Sequence, residues 1–339
     1  PLVNSSRKAN SKMSITPRIV YMGTPDFAVE PLRAIKDNGY NVVAVVTAPD
    51  RPAGRGLKTQ PTAVKTFALE HSLPVLQPER LKDEHFTRQL EYLKPEIGVV
   101  VAFRMLPKSV WSIPKLGTFN LHASLLPQYR GAAPINWAII NGEKTTGVTT
   151  FLLDEQLDTG NILLQKEVCI GEDETAGELH DRLMMAGADL VVKTLDMLLS
   201  GHQVNTIPQH QLMVAQPPLR TAPKLFRETC RIRWNDSVSN VYNLIRGLSP
   251  YPTAWSEMLV SINGKELLLQ VKIYSAAKSV EPTSNLQPGS IDTSSSRTLR
   301  VACSDGFITL KIIQQAGKKA MPVEEFVKGW HNTKFIKML

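Results

Sequence analysis

Arg18-Ile19-Val20-Tyr21-Met22-Gly23-Thr24-Pro25-Asp26, with Val42-Val43-Ala44-Val45-Val46-Thr47 after it, sets the fold class of the chain. Arg18 to Met22 reads as a short buried strand. Gly23-Thr24-Pro25-Asp26 then turns into an amphipathic helix that runs to about Asp37 and stops at Gly39. Val42 to Thr47 is a second apolar strand. A Pro/Gly/Arg loop, a helix over Ala63 to Glu70, Val75-Leu76 and Ile97 to Phe103 continue the alternation. Strands alternating with helices predict a parallel sheet covered on both faces. Phe119 to His122, a helix from Pro134 to Asn141, Val148 to Leu153, Ile162 to Val168 and a long helix from Thr175 to Leu199 complete this domain, placed at residues 13–201. The turn after the first strand lacks the three-glycine spacing that lets backbone approach a pyrophosphate, and Asp26 would repel a phosphate there. A nicotinamide cofactor is therefore not expected. Such a sheet still offers a ligand crevice at the carboxyl ends of its strands.

Between His202 and Pro223, polar residues and four prolines break every periodicity, which marks a linker over 202–223. Residues 224–339 then give a helix over Ser237 to Arg246 and short alternating strands at Ala254 to Ile262, Glu266 to Tyr274, Leu299 to Cys303 and Phe307 to Ile313. Asn263-Gly264, Pro288-Gly289 and Asp305-Gly306 supply the turns, so a small OB-like β-barrel is expected. Pro282 to Arg297, rich in Ser, Thr, Asn and Pro, reads as a mobile loop within it. The fold class is α/β: a Rossmann-like parallel-sheet domain followed by the barrel.

A chain of 339 residues agrees with two cores. With 42% hydrophobic and 21% charged residues and no apolar run long enough for a bilayer, a soluble globular protein away from membranes is expected. Cys169, Cys230 and Cys303 are odd in number and widely spaced. They suggest neither a disulfide framework nor a metal site, and a reducing, cytoplasmic setting fits. Pro1 to Lys12 precedes Met13 and reads as a tag remnant or upstream extension; its basic residues leave a truncated organelle-targeting segment as the alternative. The net charge of +8 is uneven. Residues 1–207 hold 22 Lys and Arg against 22 Asp and Glu, whereas residues 208–339 hold 17 against 9. A basic second domain beside a neutral first one points to a polyanionic partner held by the second, the plainer reading being solubility.

Chemistry concentrates in Phe119-Asn120-Leu121-His122-Ala123-Ser124-Leu125-Leu126-Pro127, followed by Arg130-Gly131-Ala132-Ala133-Pro134. On a strand, Asn120 and His122 project to the same face. An amide N–H can stabilise a developing oxyanion, and an imidazole can take a proton from an attacking amine or hydroxyl. The plainer reading is a strand end with two hydrogen-bonded polar residues. Asp158, in Asp154-Glu155-Gln156-Leu157-Asp158-Thr159-Gly160, follows a strand whose loop could bring a carboxylate to His122; alone, Asp-Thr-Gly is a turn.

Together, Met22-Gly23-Thr24-Pro25-Asp26-Phe27-Ala28, Asp50-Arg51-Pro52-Ala53-Gly54-Arg55-Gly56, Asn120-Leu121-His122-Ala123-Ser124-Leu125-Leu126-Pro127, Tyr129-Arg130-Gly131-Ala132-Ala133-Pro134-Ile135 and Leu157-Asp158-Thr159-Gly160 resemble the methionyl-tRNA formyltransferases, within the wider folate-dependent formyltransferase family. The likeness runs from about Arg18 to Gln315-Ala316-Gly317-Lys318-Lys319-Ala320-Met321. It implies that a formyl group passes from 10-formyltetrahydrofolate to the α-amine of methionine on initiator tRNA, without a metal. It further implies that Asn120, His122 and Asp158 are the catalytic set, with Asp158 orienting His122 directly or through a water. Ser124, Leu125, Leu126 and Pro127, with Phe103 and Arg104, would then line the folate site. Many relatives have Ala-Tyr-Gly where this chain has Ala102-Phe103-Arg104, and Gln128 stands where a basic residue is frequent.

The loop Pro49 to Lys58 offers Arg51, Arg55 and Lys58 to an irregular RNA end, with Arg55 matching the loop arginine of the family. In the barrel, Arg227, Arg231, Arg233, Lys318 and Lys319 are candidates for phosphate contacts, while Trp234, Tyr251 and Trp255 read as core anchors. Nothing in the sequence calls for more than a monomer. One rival is a related folate enzyme acting on a purine precursor or sugar nucleotide, which leaves the basic C-terminal region unexplained. The other is a non-catalytic RNA-binding protein, which predicts no folate binding.

Overall fold

The computed structural model describes residues 16–53, 58–213, 218–283, 286–292, 297–330 and 333–339. The chain forms two compact units, one ending at Phe119 and including Leu198–Gly201, the other made of Asn120–Met197 and His202–Leu339.

In the first unit, β1 (Arg18–Gly23), α1 (Val29–Asp37) and β2 (Asn41–Val46) are followed by a short hairpin of β3 (Arg51–Ala53) and β4 (Lys58–Gln60). Then come α2 (Ala63–Glu70), β5 (Val75–Leu76), α3 (Glu84–Tyr92), β6 (Ile97–Val101) and α4 (Lys108–Trp111). The order β6-β1-β2-β5 is parallel throughout. Ile19 to Met22 and all of β6 are buried, as expected for strands covered on both faces. A Cβ at Gly23 would lie 2.7 Å from that of Ala28, so the turn out of β1 needs a residue without one. The hairpin departs from the loop reading. Pro52 faces Thr59 in a two-stranded edge pair, where the missing proline N–H is tolerated. Likewise β6 stops at Val101, short of Phe103, because Ala102 takes a left-handed backbone (φ +46°).

Strand β7 (Thr118–His122) runs into the second unit. There follow β8 (Arg130–Gly131), α5 (Pro134–Ile140), β9 (Thr145–Leu152), β10 (Ile162–Cys169) and the long α6 (Ala176–Leu199). β10 pairs antiparallel with β9. The stretch read as a linker is ordered in part, holding α7 (Gln209–Met213) and β11 (Thr221–Ala222), whose parallel partner is β8. Elements this short leave no periodicity to read.

The barrel begins with α8 (Val238–Gly247) and continues through β12 (Ala254–Ile262), β13 (Lys265–Ser279), β14 (Ile291–Asp292), β15 (Arg300–Ala302), β16 (Phe307–Gln315), β17 (Met321–Pro322), α9 (Val323–Lys328) and β18 (Thr333–Met338). The strand order is β14-β15-β16-β13-β12-β18, and an antiparallel bridge from Ser290 to Lys337 closes the ring. Closure leaves no long free edge, which is what a barrel achieves. Within the stretch read as a mobile loop, β14 pairs with β15 and Ile291 is buried. The core gathers Val241 and Ile245 of α8 with Met258, Val260, Val271, Ile273, Ile308 and Phe335 of the strands. α8 also packs on α5. Its Arg246 donates to the carbonyls of Gly171 and Glu174 (3.2 and 3.0 Å), and its Tyr242 hydroxyl to Asp173 (2.8 Å), so the barrel is tied to the loop that precedes α6.

Candidate active site

β7 presents Asn120 and His122 two residues apart, hence on one face. His122 is only 7% exposed, and its Nε2 lies 2.9 Å from the carbonyl oxygen of Tyr129. A carbonyl can only accept, so Nε2 carries a proton, and in the neutral ring Nδ1 is the acceptor. The Asn120 amide is partly exposed and takes no side-chain hydrogen bond among the described residues. The strand therefore offers an unspent amide donor and, two residues on, an imidazole whose free nitrogen is a proton acceptor.

Asp158 is 9% exposed and has a left-handed backbone (φ +55°). Its Oδ2 accepts the Gly131 N–H at 3.1 Å. Its carbonyl accepts from Nε2 of Gln209 at 2.9 Å, which also donates to the Gly160 carbonyl at 2.9 Å. The Gln209 Oε1 in turn accepts from Nε and Nη2 of Arg130, at 3.0 and 2.6 Å. Gln209 is thus a buried clamp, 2% exposed, that spends its whole amide on fixing Asp158 against Arg130. The segment Tyr129–Gly131 is the common support, since Tyr129 holds His122 and Gly131 holds Asp158. Among the described residues His122 and Asp158 share no direct hydrogen bond, and the ring partner is the carbonyl of Tyr129. Glycine is required at position 131, where φ is +126° and a Cβ would run into the Ala222 carbonyl.

The chain after β7 is pinned from beneath. Thr149 Oγ1 donates to the Ser124 carbonyl (2.7 Å) and accepts from the Leu126 N–H (3.2 Å) and from Gln165 Nε2 (2.9 Å). Gln165 also donates to the Leu126 carbonyl at 2.9 Å, and Ser124 Oγ to that of Gln128 at 2.6 Å. Leu126 packs with Phe151 and Ile162, and Ser124 and Pro127 are buried too. Of these four residues only Leu125 keeps side-chain exposure, so a ligand would meet the run chiefly through its backbone. Gln128 Oε1 accepts the Arg220 N–H at 2.9 Å. The Tyr129 hydroxyl donates to Glu143 at 2.6 Å, and burial together with that carboxylate pushes its phenol above the ordinary value.

In the first unit, Arg104 Nη1 donates to the Glu79 carbonyl at 3.0 Å and Nη2 to that of Pro78, and its guanidinium lies 5.6 Å from the Phe103 ring centre. Its buried Nε has no partner among the described residues. Burial first, and the neighbouring Arg51 second, lower its pKa. Arg51 is exposed on β3 and Lys58 opens β4, while Arg55 lies outside the described residues. Lys318 and Lys319 are exposed in the turn after β16. Among the described residues no group of three His, Cys, Asp or Glu could hold a metal, and no helix is long and apolar enough to cross a membrane.

Residues 17–195 match the model of the formyl transferase family, and residues 224–331 that of its C-terminal domain. Methionyl-tRNA formyltransferase of Bacteroides fragilis is 53% identical, covering 95% of this chain and 97% of its own. That of Parabacteroides distasonis is 54% identical, covering 92% and 95%. The chain belongs to the methionyl-tRNA formyltransferase family. Among solved structures, this formyltransferase shares its fold with an N-formyltransferase from Helicobacter canadensis in complex with folinic acid and dTDP-3-aminofucose, at TM-score 0.63 and 20% identity over 88% of this chain and 99% of that one. HypX from Aquifex aeolicus in complex with tetrahydrofolic acid gives 0.60 and 17%, over 95% and 51%.

Gln209, Thr149 and Gln165 of this formyltransferase escaped sequence reading. Their partners are carbonyls and hydroxyls far along the chain, and a lone buried amide or hydroxyl leaves no local pattern. Tyr129 and Arg130 lay in the quoted motif without a role. Only the glycines at 131 and 160 hinted at close backbone packing there.

Proposed function

We propose that the protein transfers the formyl group of 10-formyltetrahydrofolate to the α-amino group of methionyl initiator tRNA, as a monomer in the cytoplasm where translation begins. The observation that carries this reading is the pair on β7, an Asn120 amide with no side-chain hydrogen bond among the described residues beside an imidazole held through Nε2 on the Tyr129 carbonyl. The pair fits a formyl donor, since a carbonyl needs a hydrogen-bond donor at oxygen and its acceptor amine needs a base. When bound, the folate supplies a formyl amide already activated by its arylamine leaving group.

Asn120 Nδ2–H donates to the formyl oxygen, where negative charge gathers as the amine attacks. His122 Nδ1 would take the proton that the amine loses and return it to the folate nitrogen as that nitrogen's bond to the formyl carbon breaks, while Nε2–H stays on the Tyr129 carbonyl and keeps the ring from turning. Asp158 acts from the adjoining loop, holding the Gly131 amide and placing negative charge near the imidazolium that forms. Ser124 to Pro127, Phe103 and Arg104 border the folate, and Arg51, Arg55, Lys58, Lys318 and Lys319 meet the tRNA. Incubation with 10-formyltetrahydrofolate and methionyl initiator tRNA should yield formyl-methionyl-tRNA. Formylation of a small amine or sugar nucleotide with the tRNA left untouched would contradict the reading.

A further inference from the structure

The barrel carries a cavity that the formyl-transfer chemistry does not use. It has a volume of about 490 Å³, and its lining includes Phe226, Arg227, Tyr251, Trp255, Lys272 and Gln314. That is the size of a pocket for one small organic ligand. Its walls combine large exposed aromatic rings with cations that pair with no carboxylate among the described residues.

Tyr251 is 81% exposed and Phe226 59% exposed. The expectation that Tyr251 is a core anchor therefore fails, and its hydroxyl has no partner among the described residues. Trp255 is half-buried and held in place, because its Nε1 donates to the Arg227 carbonyl at 2.7 Å. The Arg227 guanidinium lies 4.8 Å and that of Arg231 5.1 Å from the centre of the Trp255 ring. Arg231 is neutralised by Glu257 at 2.8 Å, whereas Arg227 and Lys272 pair with no carboxylate among the described residues. Tyr251 is presented by a fixed loop. Thr253, also lining the cavity, donates its hydroxyl to Pro250 at 2.7 Å and its N–H to Leu248 at 2.8 Å, and stands at φ +80°, an uncommon conformation for a β-branched residue. Lys272 donates to the Pro252 carbonyl at 3.5 Å, so the loop holds an aromatic ring out in water beside two positive charges that meet no carboxylate among the described residues, in the region that carries the whole excess of basic residues, 17 against 9.

We infer that this cavity takes one unpaired nucleotide of an RNA, its base stacked against Tyr251 and beside Trp255 and its phosphate met by Arg227 and Lys272. Stacking accepts any base, and the two cations ask only for a phosphate, so the pocket adds affinity without reading sequence. The inference rests on the proposed reaction for the identity of the RNA.

The test uses the full chain and a fluorescein-labelled single-stranded RNA of mixed sequence, titrated by anisotropy at several salt concentrations, together with steady-state formylation of methionyl initiator tRNA. Tyr251→Ala should weaken single-strand binding about tenfold and Tyr251→Phe hardly at all, because the phenyl ring still stacks. Arg227→Ala should weaken it and lower the salt slope by about one phosphate. In formylation, Tyr251→Ala should raise the KM for tRNA and leave kcat in place. Unchanged RNA binding and KM in Tyr251→Ala, with wild type active, would overturn the pocket and spare the enzyme. A wild type that binds RNA through Tyr251 yet formylates nothing would do the reverse. Free adenosine monophosphate or folic acid displacing the probe at micromolar concentration would assign the pocket to a free nucleotide or to folate and overturn the RNA.

Discussion

At the scale of single residues, the proposed site rests on Asn120 and His122, two residues apart on β7, and on Asp158 in the adjoining loop. Asn120 and His122 were legible in the sequence because a strand repeats every two residues. Asp158 was legible as a loop carboxylate in reach of His122, a reading the family likeness strengthened, but its hydrogen-bond partner, the Gly131 N–H, was not. Gln209 was missed altogether, since it sits where composition announces a linker. Replacing it with alanine strips the Asp158 and Gly160 carbonyls and the Arg130 guanidinium of their buried partner. Gln209→Ala should therefore lower kcat about tenfold to a hundredfold through misplacement of the Asp158 loop. Its KM for small folates should move little, and a kcat equal to wild type would show that the clamp is irrelevant to catalysis.

At the scale of elements, the backbone after β7 is held by the Thr149 hydroxyl, which makes one donated and two accepted hydrogen bonds in a fully buried place. Thr149→Val keeps the shape and removes all three. It should cost about 1–3 kcal/mol, read as a lower denaturant midpoint at unchanged slope, because the Ser124 and Leu126 groups are left unpaired. The strands and helices of the first unit followed the expected alternation to within a few residues, since burial on both faces writes a continuous apolar run. β18 did not announce itself. Its pairing with β12 slips at Leu259/Val260, and a bulge of that kind interrupts the alternation that reveals a strand. The hairpin of β3 and β4 was hidden in the same way by Pro52.

At the scale of the whole molecule, two buried weak acids should weaken stability on the alkaline side. Burial pushes the Cys303 thiol from 9.0 to about 12, helped by Asp305 and Asp236, and the Tyr242 phenol from 10.0 to about 12, where the Asp173 carboxylate contributes as well. Both groups are neutral in the folded protein, so their contribution is complete below pH 9, shrinks as pH rises past the unfolded values, and is exhausted above about 12. Urea midpoints should decline from pH 9 upward, and Tyr242→Phe should flatten the upper part of that decline; a midpoint constant from pH 9 to 11 would contradict the assignment. The central claim is that His122, with Nε2–H fixed on the Tyr129 carbonyl, accepts the amine proton through Nδ1. Single-turnover formation of formyl-methionyl-tRNA, with folate and tRNA saturating, tests it most directly. His122→Ala should slow the step about a hundredfold or more while folate binding persists, and a single-turnover rate within about twofold of wild type would contradict the account.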